Sequence, residues 1–295
     1  MNLCRVLLVL TFVSSCSALV ADASTVAYWK FDGGFLDLSG NGNTAVATGT
    51  SFTNDVFGTP IPRTGGANTH SLDLNNSFSF SPPAPAAIDY LSVPHDASLD
   101  IATGSFTIEA WVRLDESGSD PARYYIAQQK DGSSTDPFSS FIFMAKVGGV
   151  RSSGDQSVMG LGLPDESSTN MIYSSLGFPG ATDNGWHYVS VAVDRPSGDV
   201  RFVLDDQVEI LSGAALSLPG MNNGETLYIG AHSTGSGANH GFAGGIDELR
   251  ISNTFLSESQ LLVVPEPATP IAAVIGFFVC TLLFWYQRIA KHRHL

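Results

Sequence analysis

Residues 185–204, GWHYVSVAVDRPSGDVRFVL, decide the fold class of this chain. Valine occupies every second position from 189 to 193, which is the period of a strand with one buried face. The turn-forming residues 196–199, Pro-Ser-Gly-Asp, separate this run from a second apolar run at residues 200–204. Two such runs joined by a short turn predict an antiparallel β-hairpin.

The same pattern extends outward from this hairpin in both directions. Residues 105–113 alternate, with Phe106 and Ile108 on one face and Thr107 and Glu109 on the other. Further short runs, separated by Gly, Pro, Asn, Asp and Ser, predict strands at residues 25–31, 71–74, 90–93, 124–128, 141–147, 186–194, 226–229 and 244–251. Only residues 257–262 have a brief helical pattern. Many short strands at regular spacing predict an all-β sandwich or barrel.

Composition and charge exclude several classes of protein. Of the 295 residues, 43% are hydrophobic and only 14% are charged, and the net charge is −14. The 30 Gly and 15 Pro are incompatible with a coiled coil or a long helical bundle, and the apolar content is too high for a disordered chain. A nucleic-acid-binding protein needs clusters of Lys and Arg, so the acidic excess argues against that class.

The N-terminal residues have the pattern of an export signal. Arg5 precedes a short apolar run, and Ala21-Asp22-Ala23 is a small-x-small cleavage site. We therefore predict a signal peptide at residues 1–23. Residues 13–16 also resemble a lipobox, which leaves open an alternative in which Cys16 becomes a lipidated N-terminus.

The C-terminal residues 264–295 contain three parts in order. Val264-Pro265-Glu266-Pro267 is followed by an uncharged run at residues 271–286 and then by a basic tail. The apolar run predicts a transmembrane helix over residues 270–286, although a span usually takes about 20 residues. By the positive-inside rule, the basic tail predicts a cytoplasmic C-terminus.

The order of these three parts resembles the PEP-CTERM sorting signal. This resemblance implies an exosortase as partner, a membrane-embedded cysteine protease-transpeptidase of bacteria with an outer membrane. Cleavage near Pro265–Pro267 would release the preceding domain from its helix or transfer it to another anchor. The expected location is the cell envelope, the outer surface or the extracellular space, with the helix as a transient membrane anchor.

Six segments between the two ends resemble, in order, those of the LamG-like, concanavalin A-like jelly-roll domain. They are residues 26–32, 37–43, 90–94, 105–112, 185–189 and 245–252. The resemblance implies one two-sheet sandwich over residues 24–263, with two curved antiparallel sheets. Two departures from the family pattern are the Pro-rich residues 76–88 and an Asp205-Asp206 pair where Asp-Gly is usual.

Cysteine usage agrees with export. Cys4 and Cys16 lie in the predicted signal and Cys280 in the predicted transmembrane helix. The domain between them has no cysteine, so no disulfide framework supports it. Its stability must come from a hydrophobic core.

A Gly-rich segment near the start of the domain is the candidate metal site. Asp37, Asn41 and Asn43 supply side-chain oxygens of the kind that Ca²⁺ prefers. The resemblance places this first turn near the last strand, which makes Asp247 a further expected ligand. The alternative is that these side chains cap a turn through Asx hydrogen bonds. A bound Ca²⁺ is expected to be structural.

No catalytic site is predicted. Glycoside hydrolysis needs two carboxylates about 5–10 Å apart in one groove. Hydrolases of this fold carry a Glu-x-Asp-x-x-Glu strand motif that this sequence lacks, and Glu109 stands alone. His187 is expected to be a packed core histidine.

The leading functional hypothesis is non-catalytic recognition of a carbohydrate or an extracellular matrix component. The candidate ligand-binding residues are Tyr124, Tyr125 and Tyr173, whereas Trp111 and Trp186 are expected in the core. One alternative is a structural surface or biofilm display module without a small ligand. A second alternative is a glycan-acting hydrolase. Solvent-facing rings on an ordered face favour recognition, whereas two carboxylates across a cleft favour hydrolysis.

Overall fold

The structure is a computed structural model. It describes residues 24–76, 88–101, 104–115, 123–130, 139–146, 158–164, 169–179, 183–214, 224–234 and 237–264. The strands are β1 (Thr25–Trp29), β2 (Val46–Thr48), β3 (Ser51–Thr53), β4 (Ser71–Asn75), β5 (Tyr90–Val93), β6 (Phe106–Leu114), β7 (Arg123–Lys130), β8 (Ser139–Lys146), β9 (Val158–Pro164), β10 (Thr169–Tyr173), β11 (His187–Asp194), β12 (Asp199–Leu204), β13 (Gln207–Leu211), β14 (Leu227–Ile229), β15 (Ala231–Thr234), β16 (Gly237–Gly241) and β17 (Ala243–Ser252). Two 3₁₀ turns lie at Ala97–Leu99 and Glu258–Gln260.

These strands form two large antiparallel sheets and one small hairpin. Sheet A has the order β13-β12-β11-β6-β17-β4-β3, and β1 pairs with the second half of β17. Sheet B has the order β10-β9-β8-β7-β14-β5-β2. Strands β15 and β16 pair only with each other. Strands that are far apart in the sequence, such as β6 and β17, pair as neighbours in one sheet, as expected of a jelly roll.

The core lies between the inner faces of the two sheets. Sheet A contributes Ile108 of β6 and Val191 of β11, whereas sheet B contributes Leu91 of β5 and Ile229 of β14. Each of these side chains is fully buried because strands with a period of two place alternate residues on the core face. Trp29 is also fully buried, and its indole Nε1 donates to the carbonyl of Asn43 at 2.9 Å.

The predicted all-β jelly-roll class is confirmed, and each predicted strand is present with ends within two residues of its predicted bounds. The predicted hairpin is the β11–β12 pair, in which Val193 lies opposite Val200. The predicted helical turn at residues 257–262 is a single 3₁₀ turn. Strands β2, β3, β9, β10, β13, β15 and β16 were not predicted, because most are short or carry few β-branched residues.

The Asp205-Asp206 pair forms a two-residue turn between β12 and β13, in which Leu204 pairs with Gln207. Asp205 has a left-handed φ of 53°, a conformation that Asp tolerates better than most residues. Its carboxylate accepts from the backbone N–H of Tyr188 at 2.9 Å. The Asp-Asp pair therefore makes the turn that Asp-Gly makes elsewhere, and its side chain adds a bond to the neighbouring strand.

No helix in the described ranges is long and apolar enough to cross a membrane. The predicted signal peptide and transmembrane helix lie outside the described residues. Most of the Pro-rich departure at residues 76–88 lies outside them as well.

Candidate functional site

The outer face of sheet A carries a buried charged network centred on Glu109 of β6. Glu109 has no exposed surface, and its carboxylate accepts hydrogen bonds from the Tyr188 hydroxyl, from Arg250 Nε at 2.7 Å and from the Leu262 N–H at 2.8 Å. Burial lowers the pKa of Arg250, but the charge of Glu109 outweighs it and raises that pKa overall. Glu109 and Arg250 therefore form a buried ion pair, and other protein groups supply the remaining hydrogen bonds of the carboxylate.

Residues 253–264, which we call the strap, cover this network. Arg250 Nη2 donates to the Gln260 carbonyl at 2.7 Å, and Arg201 donates to the Leu256 carbonyl. On the apolar side, Leu256, Leu261 and Leu262 are buried against Tyr28, Tyr188 and Val203. The strap is held mainly through its backbone, by the nearby Arg250 and by side chains more than 50 positions away in the sequence.

Residues 54–68, which we call the cover loop, cover a second part of the outer face of sheet A. The Phe57 ring is stacked on Trp111, with centroids 4.0 Å apart and planes 3° apart. Arg63 Nη1 donates to the Ser259 carbonyl at 2.6 Å, so the cover loop and the strap are joined. Together they form a third layer on the outer face of sheet A.

Two further carboxyl groups lie beneath the cover loop and the strap. Asp247 and Glu248 sit at a bulge in β17, and Glu248 has a left-handed φ of 50°. Asn68 Nδ2 donates to Asp247 at 2.8 Å, and the Tyr28 hydroxyl donates to Glu248. Burial is the main cause that raises the pKa of each carboxyl to about 8.

Sequence reasoning missed this convergence of Glu109, Asp247 and Glu248 on one face. The relevant signal is the pairing of β6 with β17, which the strand pattern alone does not contain. All three side chains have no exposed surface and are bonded to protein groups. Their hydrogen bonds therefore link strands β6 and β17 to the segments that cover them.

The predicted metal-binding segment has its own set of hydrogen bonds. Asp37 accepts from Tyr28 N at 3.0 Å, Ser39 N at 2.8 Å, Ser39 Oγ at 2.7 Å and Asn43 N at 2.9 Å. Asn41 and Asn43 both donate through Nδ2 to the Val26 carbonyl. These are the Asx-type bonds of the alternative interpretation, and they take up the acceptor sites of the Asp37 carboxylate.

Asp247 has different partners from these three residues. Its oxygens accept from Asn68 Nδ2 and from the Glu248 N–H. Within the described ranges, no group of three His, Cys, Asp or Glu side chains is placed to hold a metal ion. A calcium ligand set of Asp37, Asn41, Asn43 and Asp247 stays a prediction, and Asp37 would have to exchange hydrogen-bond donors for the ion.

The outer face of sheet B has a different character. Tyr228 of β14 lies between the core residues Leu227 and Ile229, so its ring points away from the core. It pairs across the sheet with Ser92 of β5. Tyr90, two residues before Ser92, has its ring 5.7 Å from that of Tyr228. Tyr90, Ser92 and Tyr228 are all half-buried, which leaves part of each side chain open to solvent.

The three predicted ligand-binding tyrosines lie on the far half of sheet B. Tyr173 of β10 is 38% exposed. The register runs from Tyr173 through Gly160 and Met144 to Tyr125, so Tyr125 shares a cross-strand row with Tyr173. Tyr124 occupies the neighbouring row, which ends at Met159, a core residue. Only the backbone of Tyr124 and Tyr125 is described.

Gln128 of β7 is a feature that sequence reasoning missed. It pairs with Tyr228 in the outer row of sheet B and is fully buried. Neither its Oε1 nor its Nε2 has a hydrogen-bond partner. A buried carboxamide without hydrogen bonds lowers the stability of the folded state. The outer row of sheet B therefore has an unsatisfied polar side chain beside Tyr228.

Trp111, Trp186 and His187, all predicted to lie in the core, are only half-buried in the structure. Trp186 packs against Gly245, where an added Cβ would lie 2.5 Å from the ring. Trp111 is half-buried beneath Phe57 instead of in the main core. The prediction that His187 packs in the core holds in part, because its ring meets the core residue Phe178 edge to face, with centroids 5.5 Å apart. Its ring is half-buried and bridges Asp205, 2.8 Å from Nδ1, and Asp183, 2.9 Å from Nε2.

The hydrogen bond to Asp205 is the largest cause of a raised pKa of His187, with Asp183 acting in the same direction and burial opposing both. Both ring nitrogens face carboxylates, an arrangement that suits the protonated imidazolium. His187 thereby ties the β12–β13 turn to the loop before β11.

Comparison with known families and structures gives one family match. A family model described as the concanavalin A-like lectin/glucanases superfamily matches residues 86–262, more than half of the chain. The match includes the last strand and most of the strap. A search of curated proteins gave no significant match.

Solved structures share the fold at low sequence identity. Domain 4 of AbnA, a GH43 extracellular arabinanase from Geobacillus stearothermophilus solved with arabinotriose, is 15% identical with a TM-score of 0.53, and the match covers 80% of this chain and 96% of that domain. The binding domain of botulinum neurotoxin DC with rat synaptotagmin II is 15% identical with a TM-score of 0.50, at 79% and 49% coverage.

A third structure comes from botulinum neurotoxin type C, whose cell entry depends on interaction with two ganglioside molecules. It is 16% identical with a TM-score of 0.50, also at 79% and 49% coverage. The chain thus spans about half the length of these toxin fragments. At such identities the similarity establishes the fold alone.

Proposed function

The chain belongs to the concanavalin A-like lectin/glucanases superfamily, and from that premise we propose that it is an exported, non-catalytic module that recognises carbohydrate. The observation that carries this proposal is the half-buried pair Tyr90 and Tyr228 on the outer face of sheet B, whose side chains keep part of their surface in solvent. Tyrosine offers an apolar ring face for a sugar and a hydroxyl for its polar groups. Ser92 adjoins the pair, and Tyr173 adds a further exposed ring on the same sheet.

The alternative of a hydrolase finds no support in the carboxyls that converge on sheet A. Such an enzyme needs an acid and a nucleophile or base on either side of the scissile bond. Glu109, Asp247 and Glu248 are the carboxyls that converge, and all three are buried beneath the strap and the cover loop. Their bonds go to Arg250, Asn68 and Tyr28, which supports a structural role.

Charge narrows the proposed ligand class to neutral glycans. The net charge of −14 repels polyanions such as acidic polysaccharides at low ionic strength. Stacking on tyrosine faces needs no charge on the sugar. Among the solved neighbours, the arabinanase domain solved with arabinotriose supports a neutral glycan.

The proposal includes export and sorting. The signal-peptide pattern at residues 1–23 supports export, and the resemblance of residues 264–295 to the PEP-CTERM signal supports an exosortase as partner. The C-terminal apolar run would then anchor the protein in the membrane before processing. Structural calcium at Asp37, Asn41, Asn43 and Asp247 stays a separate prediction.

The test is a glycan and polysaccharide array probed with the purified chain in detergent, with and without a chelator. Tyr228→Ala is expected to weaken binding about 2- to 12-fold, since an aromatic contact is worth about 0.5–1.5 kcal/mol. Ile210→Ala is the matched control, because Ile210 is an exposed apolar residue at the edge of sheet A. It is expected to leave binding unchanged.

The outcomes separate the hypotheses. Binding lost with chelator and restored by Ca²⁺ would support a metal that orders the site. Binding insensitive to chelator but weakened by Tyr228→Ala would place the ligand on the tyrosine pair alone. An absence of binding across neutral glycans would contradict the proposal and favour a display module.

A further inference from the structure

We infer that the strap fixes the orientation of the anchored domain, with the outer face of sheet A toward the membrane and the tyrosine-bearing face of sheet B away from it. This inference rests on the C-terminal anchor of the proposed function. It adds which face of the domain is available to a partner while the chain is anchored.

The first step is the exit point of the chain. Leu262 is bonded through its N–H to Glu109, in the middle of β6. Strand β6 is a central strand of sheet A, flanked by β11 on one side and β17 on the other. The described chain then ends at Val264. The connection to the C-terminal segment therefore starts over the centre of a sheet face rather than at one end of the sandwich.

The second step is that this exit point is fixed. Leu261 and Leu262 are buried, and the Leu262 carbonyl accepts from the backbone N–H of Arg63 at 3.2 Å. Upstream, Arg250 holds the Gln260 carbonyl and Arg63 holds the Ser259 carbonyl. A buried charged side chain that loses its partners destabilises the folded state. Release of the strap would remove partners from Glu109 and Arg250, so the strap stays bound in the folded domain.

The third step is the length of the connector. From Val264 to Ile271, the first residue of the uncharged run, the chain advances seven positions and spans at most about 25 Å. A domain of roughly 240 residues has a radius of gyration of about 18 Å, hence a diameter of about 45 Å. A connector that starts at the centre of sheet A is too short to pass around the domain and bring sheet B to the membrane.

The consequence concerns ligand access. An anchored chain would present Tyr90 and Tyr228 to material outside the membrane, while the third layer on sheet A faces the lipid surface. The orientation is set by the strap, because a connector leaving from an edge strand would let the sandwich lie on either face. Access to a long polysaccharide then requires no release of the domain.

The experiment compares two reporter cysteines in the full chain with the three native cysteines, Cys4, Cys16 and Cys280, replaced by alanine. Val46→Cys lies on the edge strand of sheet B, opposite Ser92, and Glu258→Cys lies on the strap; both native side chains are exposed. Each is labelled with a bulky polymer-linked maleimide in right-side-out membrane vesicles and in detergent. We expect Glu258→Cys to react several-fold more slowly in vesicles and Val46→Cys to react equally in both.

Two controls make the result specific. A small maleimide should label both variants at the same rate in vesicles and detergent, which excludes a local effect on the thiol. Insertion of a long flexible Gly/Ser segment after Val264 should restore bulky labelling of Glu258→Cys, because the connector then no longer limits the distance.

Equal bulky labelling of both cysteines in vesicles, or slower labelling of Val46→Cys, would overturn the orientation. Absence of the chain from the membrane fraction would overturn the anchor on which the inference rests. Neither outcome affects the glycan array in detergent, so the recognition proposal is judged separately.

Discussion

The two outer faces of this sandwich differ in what covers them. On sheet A, the strap and the cover loop bury a glutamate, two arginines, two tyrosines and a pair of β17 carboxyls. On sheet B, tyrosines at comparable outward positions keep part of their surface in solvent. The comparison shows that outward strand positions become a second core or a binding surface according to what the rest of the chain lays over them.

The chemistry of each face fits its cover. The covered face satisfies its charges with backbone groups of the covering segments, as where Arg201 and Arg250 donate to strap carbonyls. The open face relies on rings that tolerate partial exposure, because tyrosine has both an apolar body and a polar tip. This difference is the basis of four predictions, ordered by the size of the expected effect.

The largest effect is expected on the covered face. Glu109→Gln removes the charge that pairs with buried Arg250 and weakens the bond to the strap at Leu262. Breaking a buried pair from one side costs about 3–5 kcal/mol, so the free energy of unfolding in urea should fall by that amount. Glu258→Gln, at an exposed strap position, is the control and should change it by less than about 0.5 kcal/mol. A small loss at Glu109 would show that the strap contributes little to stability.

The second-largest loss of stability is expected where Trp186 packs against Gly245 of β17. Gly245→Ala places a Cβ about where Trp186 packs, at 2.5 Å from the ring in the present geometry. Overpacking of this kind costs about 1–3 kcal/mol, which thermal unfolding would register as a lower midpoint. Gly34→Ala is the matched control, because a Cβ there meets nothing within 4 Å. Equal midpoints for the two variants would mean that Trp186 moves aside freely.

The buried β17 carboxyls predict a pH dependence. Their folded pKa values of about 8 lie above the unfolded values, so the folded state binds protons more tightly. The associated stability is fully present below the unfolded pKa and is lost as pH rises through about 8. Each group contributes a slope of at most about 1.4 kcal/mol per pH unit.

The free energy of unfolding should therefore fall as pH rises from about 4.5, just above the unfolded pKa values, to about 8, and it should level off above pH 8. His187, whose pKa is also raised, changes stability in the same direction as pH rises from near neutrality. Asp247→Asn should make the decline shallower, and urea unfolding at several pH values measures it. A decline unchanged in this variant would assign the effect to other groups.

The smallest effect on stability is expected on the open face. Ser92→Ala removes a partly exposed hydroxyl from sheet B, whose backbone pairing with Tyr228 is unaffected. The free energy of unfolding should change by less than about 0.5 kcal/mol. If Ser92 supplies a hydrogen bond to the ligand, binding on the glycan array should weaken about 2- to 12-fold, for a bond worth about 0.5–1.5 kcal/mol. A large loss of stability would instead indicate that this face is covered.

Much of the fold could be predicted from the sequence. The β11–β12 hairpin follows from valines at every second position and a Pro-Ser-Gly-Asp turn, both of which act within a few residues. The missed strands show the limit of this reasoning. Strand β9 alternates glycine with apolar residues, and its place beside β8 comes from pairing rather than from local preference.

For the candidate site, the sequence predicted the type of residue, an exposed tyrosine on a strand, but not the positions that lie together. Tyr173 was predicted as a ligand-binding ring and is exposed, whereas Tyr90 and Tyr228, whose rings meet, were not singled out. Their proximity depends on β5 pairing with β14, two strands far apart in the sequence. The Asx-type bonds of Asp37 are local, so both interpretations of that segment could be written from the sequence.

Local patterns in the sequence specify ten of the strands, the turn between β11 and β12, and the two-residue alternation that divides each strand into a core side and an outer side. These are local properties, because backbone preference and side-chain direction act over neighbouring residues. Which outer side is covered depends instead on contacts between distant parts of the chain. Thr107, Glu109 and Trp111 have the pattern of a solvated face, yet Glu109 is buried because Leu262 and Arg250, more than 140 positions away, close over it. Burial of a charge depends on partners that only the folded chain brings within hydrogen-bond distance.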